Sequence, residues 1–425
     1  PWSTGNSRPG PPAMKPPLSA PRHSLRKRAR SVGATRTNAC CGRMGQYMSN
    51  ASTRALAGKV ALALGDERGV CCLIEAGISR DSVFPIYSAS KMLTAYVFMR
   101  LIQDGRLTLH TRAADVLDWW NPNGGGCHNV TVGHLLTQTG SLDRYPLGLG
   151  MCTSDDTLGC AREAYSMACS QRPLGSAFAY TEATFFVLGA MALAVTGLPT
   201  YNAVFRKYLA GPLNMSESCA FDYPNLHRSD PGGGCRCSVL DYGRFLRAAL
   251  AGEIVPAEWR RRAELPQTLL LGAGRRNGGQ GPYGFGQWRE CPPVDRSMPT
   301  FRERCSDSMG VKVSSMGIAG YYPWMFHKGN QSHWGIVARY KYGGSAVSHR
   351  IGMDVFPLAV EAMESFRRSL AQQAVNGSSV QRAFALLQED GGPTLAIGSA
   401  LAVFLVVGVL GVLWRLCARM QKGSA

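Results

Sequence analysis

Strand-like segments lie at both ends of the patterned part of this 425-residue chain, with helical segments between them, and that order limits the fold more than any other feature. Ala57 to Leu64 and Val70 to Ile78 read as short strands joined by a turn at Asp66-Glu67-Arg68-Gly69. Helical patterns follow at Lys91 to Asp104, Val132 to Thr139, Ala183 to Val195, Asn202 to Leu209 and Leu240 to Ala251. Strand patterns return at Gly310 to Ser315, Tyr321 to His327 and Ser332 to Tyr342, and Asp354 to Leu370 has the spacing of an amphipathic helix. Strands so far apart share one sheet only if the two ends of the chain meet. The expected class is therefore α/β of the α+β kind: an antiparallel sheet closed by both chain ends and flanked by helices inserted between them.

Chemistry enters at Ser88-Ala89-Ser90-Lys91. Pro85 lies shortly before this stretch and a long run of helix formers, Met92 to Ile102, follows it, so it reads as a helix start. Residues three apart share a helix face, which brings Ser88 and Lys91 together and points Ser90 elsewhere. A serine hydroxyl is a poor nucleophile until something takes its proton, and a lysine desolvated among apolar neighbours can help do so. Taken alone the spacing equally describes an N-cap serine with a solvated lysine.

The net charge of +18 looks like a nucleic-acid signal, but its distribution excludes that class. Residues 1 to 65 hold eleven Lys or Arg and no acid, and the last eleven residues hold three more, leaving about +4 between. The Pro-, Ser- and Arg-rich leader is expected to be disordered over residues 1–50. It resembles an organellar transit peptide, and Arg26 to Arg30 reads either as a processing site or as a solvated charge run. No apolar signal-peptide core is visible in the first fifty residues.

Thr394 to Trp414 is 21 residues without a charge, enough to span a bilayer's hydrocarbon core. Trp414 ends it where an interfacial anchor belongs, and Arg415, Arg419 and Lys422 follow. The expected organisation is a domain over 51–370, a linker over 371–393, a transmembrane helix over 394–414 and a short basic tail over 415–425. Basic residues after the span favour an extracellular or lumenal domain; a tail-anchored or organellar placement is the alternative. Sequons at Asn50, Asn129, Asn214, Asn330 and Asn376 agree with the first, as do fourteen cysteines. Cys71, Cys72, Cys127, Cys152, Cys160, Cys169, Cys219, Cys235, Cys237, Cys291 and Cys305 could supply several disulfides of unreadable connectivity. Cys417 is a juxtamembrane cysteine open to palmitoylation. No metal site and no cofactor are expected, since Cys235-Arg236-Cys237 has no second ligand pair at useful spacing.

An ordered set of segments surrounds the serine and lysine. Leu101-Ile102-Gln103-Asp104-Gly105-Arg106-Leu107 leaves the helix, and Thr131-Val132-Gly133-His134-Leu135-Leu136-Thr137-Gln138-Thr139-Gly140 follows. Gly211-Pro212-Leu213-Asn214-Met215, Gly232-Gly233-Gly234-Cys235 through Phe245, and Tyr283-Gly284-Phe285-Gly286-Gln287-Trp288 come next. In order and spacing they resemble the serine beta-lactamase-like family that contains class C beta-lactamases, D-alanyl-D-alanine peptidases and related esterases, over roughly residues 58 to 365. S-x-x-K is that group's nucleophile motif.

The resemblance implies a sheet with flanking helices beside an all-helical lobe, and a site between the two. It implies Ser88 as nucleophile, Lys91 as its partner, and Tyr180 in Ala179-Tyr180-Thr181-Glu182 as the phenol that moves the proton to the leaving group. Ser315-Met316-Gly317-Ile318 corresponds to the late-strand "K/H-x-G", with Gly317 leaving room for substrate and the N–H groups of Ser88 and Ile318 forming an oxyanion hole. Two positions depart from the pattern. Glu182 replaces an asparagine and is able to pair with Lys91 and hold it charged; Ser315 replaces the cation that receives a substrate carboxylate. Glu182, Ser315 and Gly317 are then the substrate-binding positions, and the missing cation at Ser315 favours neutral esters or amides over beta-lactam or D-Ala-D-Ala substrates. Two functional readings follow: a membrane-anchored serine hydrolase acting on an ester, amide or lactam carbonyl of a small-molecule or peptide substrate, or an inactive ectodomain used for binding or assembly.

Overall fold

A computed structural model of the chain describes residues 41–50, 58–143, 152–222, 229–268, 282–290, 310–329, 331–339 and 345–376. The apolar run 394–414, residues 1–40 and the tail lie outside the described residues, among which no single helix is long and apolar enough to cross a membrane.

The first described element is a helix, α1, over residues 41–49. The hairpin of β1 (Val60–Asp66) and β2 (Gly69–Ala76) follows. A two-residue strand, β3 (Phe84–Pro85), leads through a 3-10 turn over Tyr87–Ala89 into α2 (Ser90–Gln103). Next come α3 (Ala113–Val116), α4 (Val132–Leu136), α5 (Thr157–Ala168), α6 (Ala183–Thr196) and α7 (Tyr201–Phe205). Strand β4 (Arg236–Cys237), α8 (Val239–Leu250) and α9 (Ala257–Glu264) complete the middle. The chain then returns as β5 (Trp288–Glu290), β6 (Val311–Ser314), β7 (Tyr321–Lys328), β8 (Gln331–Ala338) and a long helix, α10 (Ser345–Asn376).

Six strands form one antiparallel sheet in the order β2-β1-β8-β7-β6-β5. The β1–β8 pairing joins the early and late strands, with Ala61 opposite Ala338 and Gly65 opposite Trp334. The α+β architecture is therefore the one the segment order requires. α2 is buried from Ser90 to Met99, so it is a core helix rather than a one-faced surface helix, and α6 is buried from Ala183 to Ala192.

Several expectations are corrected. Residues 41–49 are helical where disorder was expected, because Met44 and Met48 bury one face, Cys41 is bonded to Cys72, and the Tyr47 hydroxyl donates to Asp354 at 2.8 Å. Two methionines four apart make too narrow an apolar stripe to stand out in a basic leader. α10 begins nine residues before the expected Asp354 and runs past 370. α5 and α9 were not expected as helices. Five of the eight residues of α9 are charged, yet Arg260 and Glu264 are buried and face each other one turn apart at 3.3 Å. Four disulfides join Cys41–Cys72, Cys127–Cys169, Cys152–Cys160 and Cys219–Cys237, and Cys71 is also disulfide-bonded. Cys235 is instead a buried free thiol.

On the α10 side of the sheet, Lys312 of β6 is fully buried. Its ammonium donates to Glu290 of β5 at 2.6 Å and to the Tyr322 hydroxyl at 2.7 Å. Glu290 also accepts from Ser314 at 2.5 Å, and His349 of α10 lies 3.6 Å away. Lys312 is thus fully engaged away from Ser315.

Candidate active site

The approach to Ser88 is set by β3. Phe84 pairs with Cys237 of β4, and the Ile86 N–H donates to the Cys235 carbonyl at 3.0 Å. The next residue, Tyr87, has φ +48°, a left-handed conformation that costs a non-glycine residue about 1–3 kcal/mol. This tight elbow puts Ser88 in the 3-10 turn ahead of α2 rather than inside the helix, while Lys91 sits in the first turn of α2. The three-residue offset still brings them together: Lys91 Nζ is 3.3 Å from Ser88 Oγ.

Lys91 is completely buried. Its Nζ also donates to Glu182 Oε1 at 2.6 Å and to the Gly232 carbonyl at 2.9 Å. It lies 4.8 Å from the centroid of the Tyr180 ring and 5.3 Å from that of Phe185. Burial by itself pulls the amine's pKa down, but the Glu182 carboxylate outweighs it through its charge and its hydrogen bond. Lys91 ends above its ordinary value and is a cation at neutral pH. The pairing of Glu182 with Lys91 foreseen from the sequence is present, and Glu182 faces the lysine.

Tyr180 arrives on the segment before α6, and Gln138 fixes that segment. The Thr181 N–H donates to Gln138 Oε1 at 2.6 Å, and the Ala179 N–H donates to the Gln138 carbonyl at 3.0 Å. The Tyr180 ring stacks on Trp288 at 5.5 Å, with Tyr283 and Phe178 completing an aromatic wall. Burial raises the Tyr180 pKa against the opposing pull of Lys91 and hydrogen bonding with Ser88, so the group is a neutral phenol at pH 7. Gln138, Asp230 and the aromatic wall were not singled out in the sequence. Gln138 and Trp288 lie inside segments that drew attention, but nothing in those segments separates a gripping side chain from a packing one.

The late strand closes the other side. Ser315 is buried, and its hydroxyl donates to the Ser88 carbonyl at 2.8 Å and is 3.3 Å from the Gly286 carbonyl. A Cβ on Gly317 would lie 2.0 Å from the Ile86 carbonyl oxygen. Ser315 and Gly317 therefore pack against the backbone of Ser88 and Ile86. Gly317→Ala is expected to lower stability by about 1–3 kcal/mol through this clash, measurable by denaturant unfolding. Ile318 follows on the half-exposed turn, and neither its N–H nor that of Ser88 donates to a group among the described residues. Cys127, His128 and Cys169 also converge, but both cysteines are consumed in a disulfide and offer no thiolate to a metal.

A beta-lactamase family model matches residues 74–353. Penicillin-binding protein 4 of Amycolatopsis lactamdurans is 30% identical over 143 residues, which are 33% of this chain and 37% of that protein. The match thus spans little more than a third of that relative. Among solved structures, EstCE1, described as a hydrolase with promiscuous acyltransferase activity, superposes with a TM-score of 0.60 at 16% identity, over 77% of this chain and 98% of that one. A putative beta-lactamase from Bacteroides dorei gives 0.58 at 18% identity, over 75% and 99%. The beta-lactamase/D-alanine carboxypeptidase of Yersinia pestis gives 0.57 at 17% identity, over 73% and 95%. At these identities the structures speak for the fold alone.

Proposed function

This chain belongs to the beta-lactamase family, and from that premise we propose that it is a serine hydrolase acting on neutral ester or amide carbonyls through an acyl-enzyme on Ser88. The observation that carries the reading is the fully buried Lys91 ammonium, 3.3 Å from Ser88 Oγ and 4.8 Å from the centre of the Tyr180 ring. Ser88 Oγ attacks the carbonyl carbon and its proton leaves by way of Lys91. Negative charge on the carbonyl oxygen is met by the Ser88 and Ile318 N–H groups. Tyr180, held as a neutral phenol, supplies the proton that the departing alcohol or amine requires. Water then releases the acyl group.

Substrate preference follows from what the site offers. With Ser315 occupied by the Ser88 carbonyl and Lys312 paired to Glu290, neither meets a substrate carboxylate. Tyr180, beside Ser88, and its neighbour Phe178 remain partly exposed and suit an apolar acyl or alcohol group. p-Nitrophenyl esters of short apolar acids should therefore be turned over by the protein at rates well above its acylation by a fluorescent penicillin. A folded protein that turns over none of them overturns the proposal.

The apolar run 394–414 would hold this domain at a membrane. The exposed Asn50 and Asn214 sequons support a lumenal or extracellular face. Endoglycosidase treatment of the protein from a eukaryotic membrane fraction should increase its mobility, and an unshifted band would count against that face.

A further inference from the structure

We infer that Glu182 is the final acceptor of the serine proton, with Lys91 passing it on, so that the site works as a Ser88–Lys91–Glu182 relay; the inference rests on the hydrolase reading above. An ammonium group has three hydrogens to donate. Lys91 Nζ faces Glu182 Oε1 at 2.6 Å, the Gly232 carbonyl at 2.9 Å and Ser88 Oγ at 3.3 Å, with the Tyr180 hydroxyl as a further hydrogen-bonding neighbour. A lysine held this way donates to the nucleophile and has no lone pair with which to take its proton. It accepts one only by surrendering another. Of the remaining partners a peptide carbonyl and a neutral phenol are negligible bases, so the proton goes to the carboxylate, which is also the shortest contact.

The step balances. The Ser88 Oγ–H bond breaks as the Oγ–C bond forms, and the carbonyl π pair moves onto oxygen. The serine proton passes to Nζ while one Nζ hydrogen passes to Glu182 Oε1. Lys91 is an ammonium before and after, and the negative charge moves from Glu182 to the oxyanion. On collapse the C=O bond re-forms, the bond to the leaving group breaks, and Tyr180 protonates that group. Lys91 then returns a proton to Tyr180, and Glu182 to Lys91.

The surroundings are arranged around this carboxylate. Glu182 Oε2 is buried and accepts no hydrogen bond from the described residues, so its charge rests on the Lys91 contact. A Cβ on residue 232 would lie 2.0 Å from that oxygen, which leaves glycine as the residue that fits. The titratable groups facing Glu182 are Lys91 from α2, Tyr180 from its own segment, Asp230 from the loop before β4, and Tyr283 across the aromatic wall. Asp230 accepts from the Gly232 and Gly233 N–H groups at 2.8 and 3.1 Å, which orients the Gly232 carbonyl toward Lys91. Burial, then repulsion from Glu182, pushes its carboxyl up to about 7, so at neutral pH Asp230 adds only part of a second negative charge beside the relay.

The test is a proton inventory of kcat for ester hydrolysis in mixed H2O and D2O, with pH profiles of the wild type and Glu182→Gln. Two protons in flight predict a curved inventory for the wild type. Glu182→Gln should lower kcat at pH 7 by about 10²–10⁴-fold. Its ascending limb should move to higher pH, because the acceptor becomes the Lys91 amine, and Glu182→Asp should recover part of the rate. A linear wild-type inventory overturns the relay whether or not any variant folds. So does a Glu182→Gln enzyme with an unchanged rate and limb. Failure of the wild type to hydrolyse esters at all sinks the hydrolase reading instead, which keeps the two distinguishable.

Discussion

Ser88→Ala is expected to reduce ester hydrolysis by about 10⁴-fold or more, measured as kcat/KM, with circular dichroism and unfolding midpoint nearly unchanged. The size follows from the position of the group. Its oxygen is the atom that forms the acyl bond, and the nearby Ser90 is fully buried and accepts from the Cys235 N–H, so it is not a substitute. Stability should be spared because Lys91 retains Glu182 and the Gly232 carbonyl as acceptors after the hydroxyl is lost. The Tyr87 elbow also persists, since the Ser315 hydroxyl holds the backbone carbonyl of residue 88, not its side chain. A variant that keeps more than about a tenth of the activity would remove Ser88 from the chemistry, because loss of the bond-forming atom cannot be that mild.

Lys312→Ala is expected to have the largest effect on stability, lowering it by roughly 3–5 kcal/mol, because it strands the buried Glu290 carboxylate without its cation. For a domain of this size that is a fall in Tm of about 10 °C. Burial alone would raise the Glu290 pKa, but Lys312 and His349 outweigh it and hold the carboxyl well below the ordinary range. A depressed carboxylate stabilises the fold above its unfolded pKa, and that contribution is lost as pH falls through the folded value. The wild type should therefore lose stability on acidification below about pH 4, the ordinary carboxylate value, and Lys312→Ala should lose less over that range. Unfolding midpoints between pH 2 and 8 provide the check.

What was legible in the sequence was what depends on local pattern and order. The hairpin over residues 60–76, the helix after Ser88 and the returning strands carry strong periodicity, and closure of the sheet follows from their separation. The Ser88–Lys91 contact follows from a three-residue offset that survives even though Ser88 stands in the turn before the helix. What was not legible depends on contacts remote in sequence. Gln138 and Ala179 meet across some forty residues, and Asp230 reaches Lys91 only through the carbonyl of Gly232. The orientation of Ser315 is a further case. Its identity marks the absence of a cation, but only the backbone course shows that its hydroxyl is spent on Ser88. Helix α9 was missed because its eight residues carry five charges, two of which are buried against each other.

The most direct measurement is mass-spectrometric mapping of a fluorophosphonate adduct on the folded protein. The account predicts one dominant adduct on the peptide spanning residues 81–91, assigned by fragmentation to Ser88 rather than Ser82 or Ser90, and its disappearance in Ser88→Ala. An adduct on another serine, or none on a protein whose fold is intact, would contradict it.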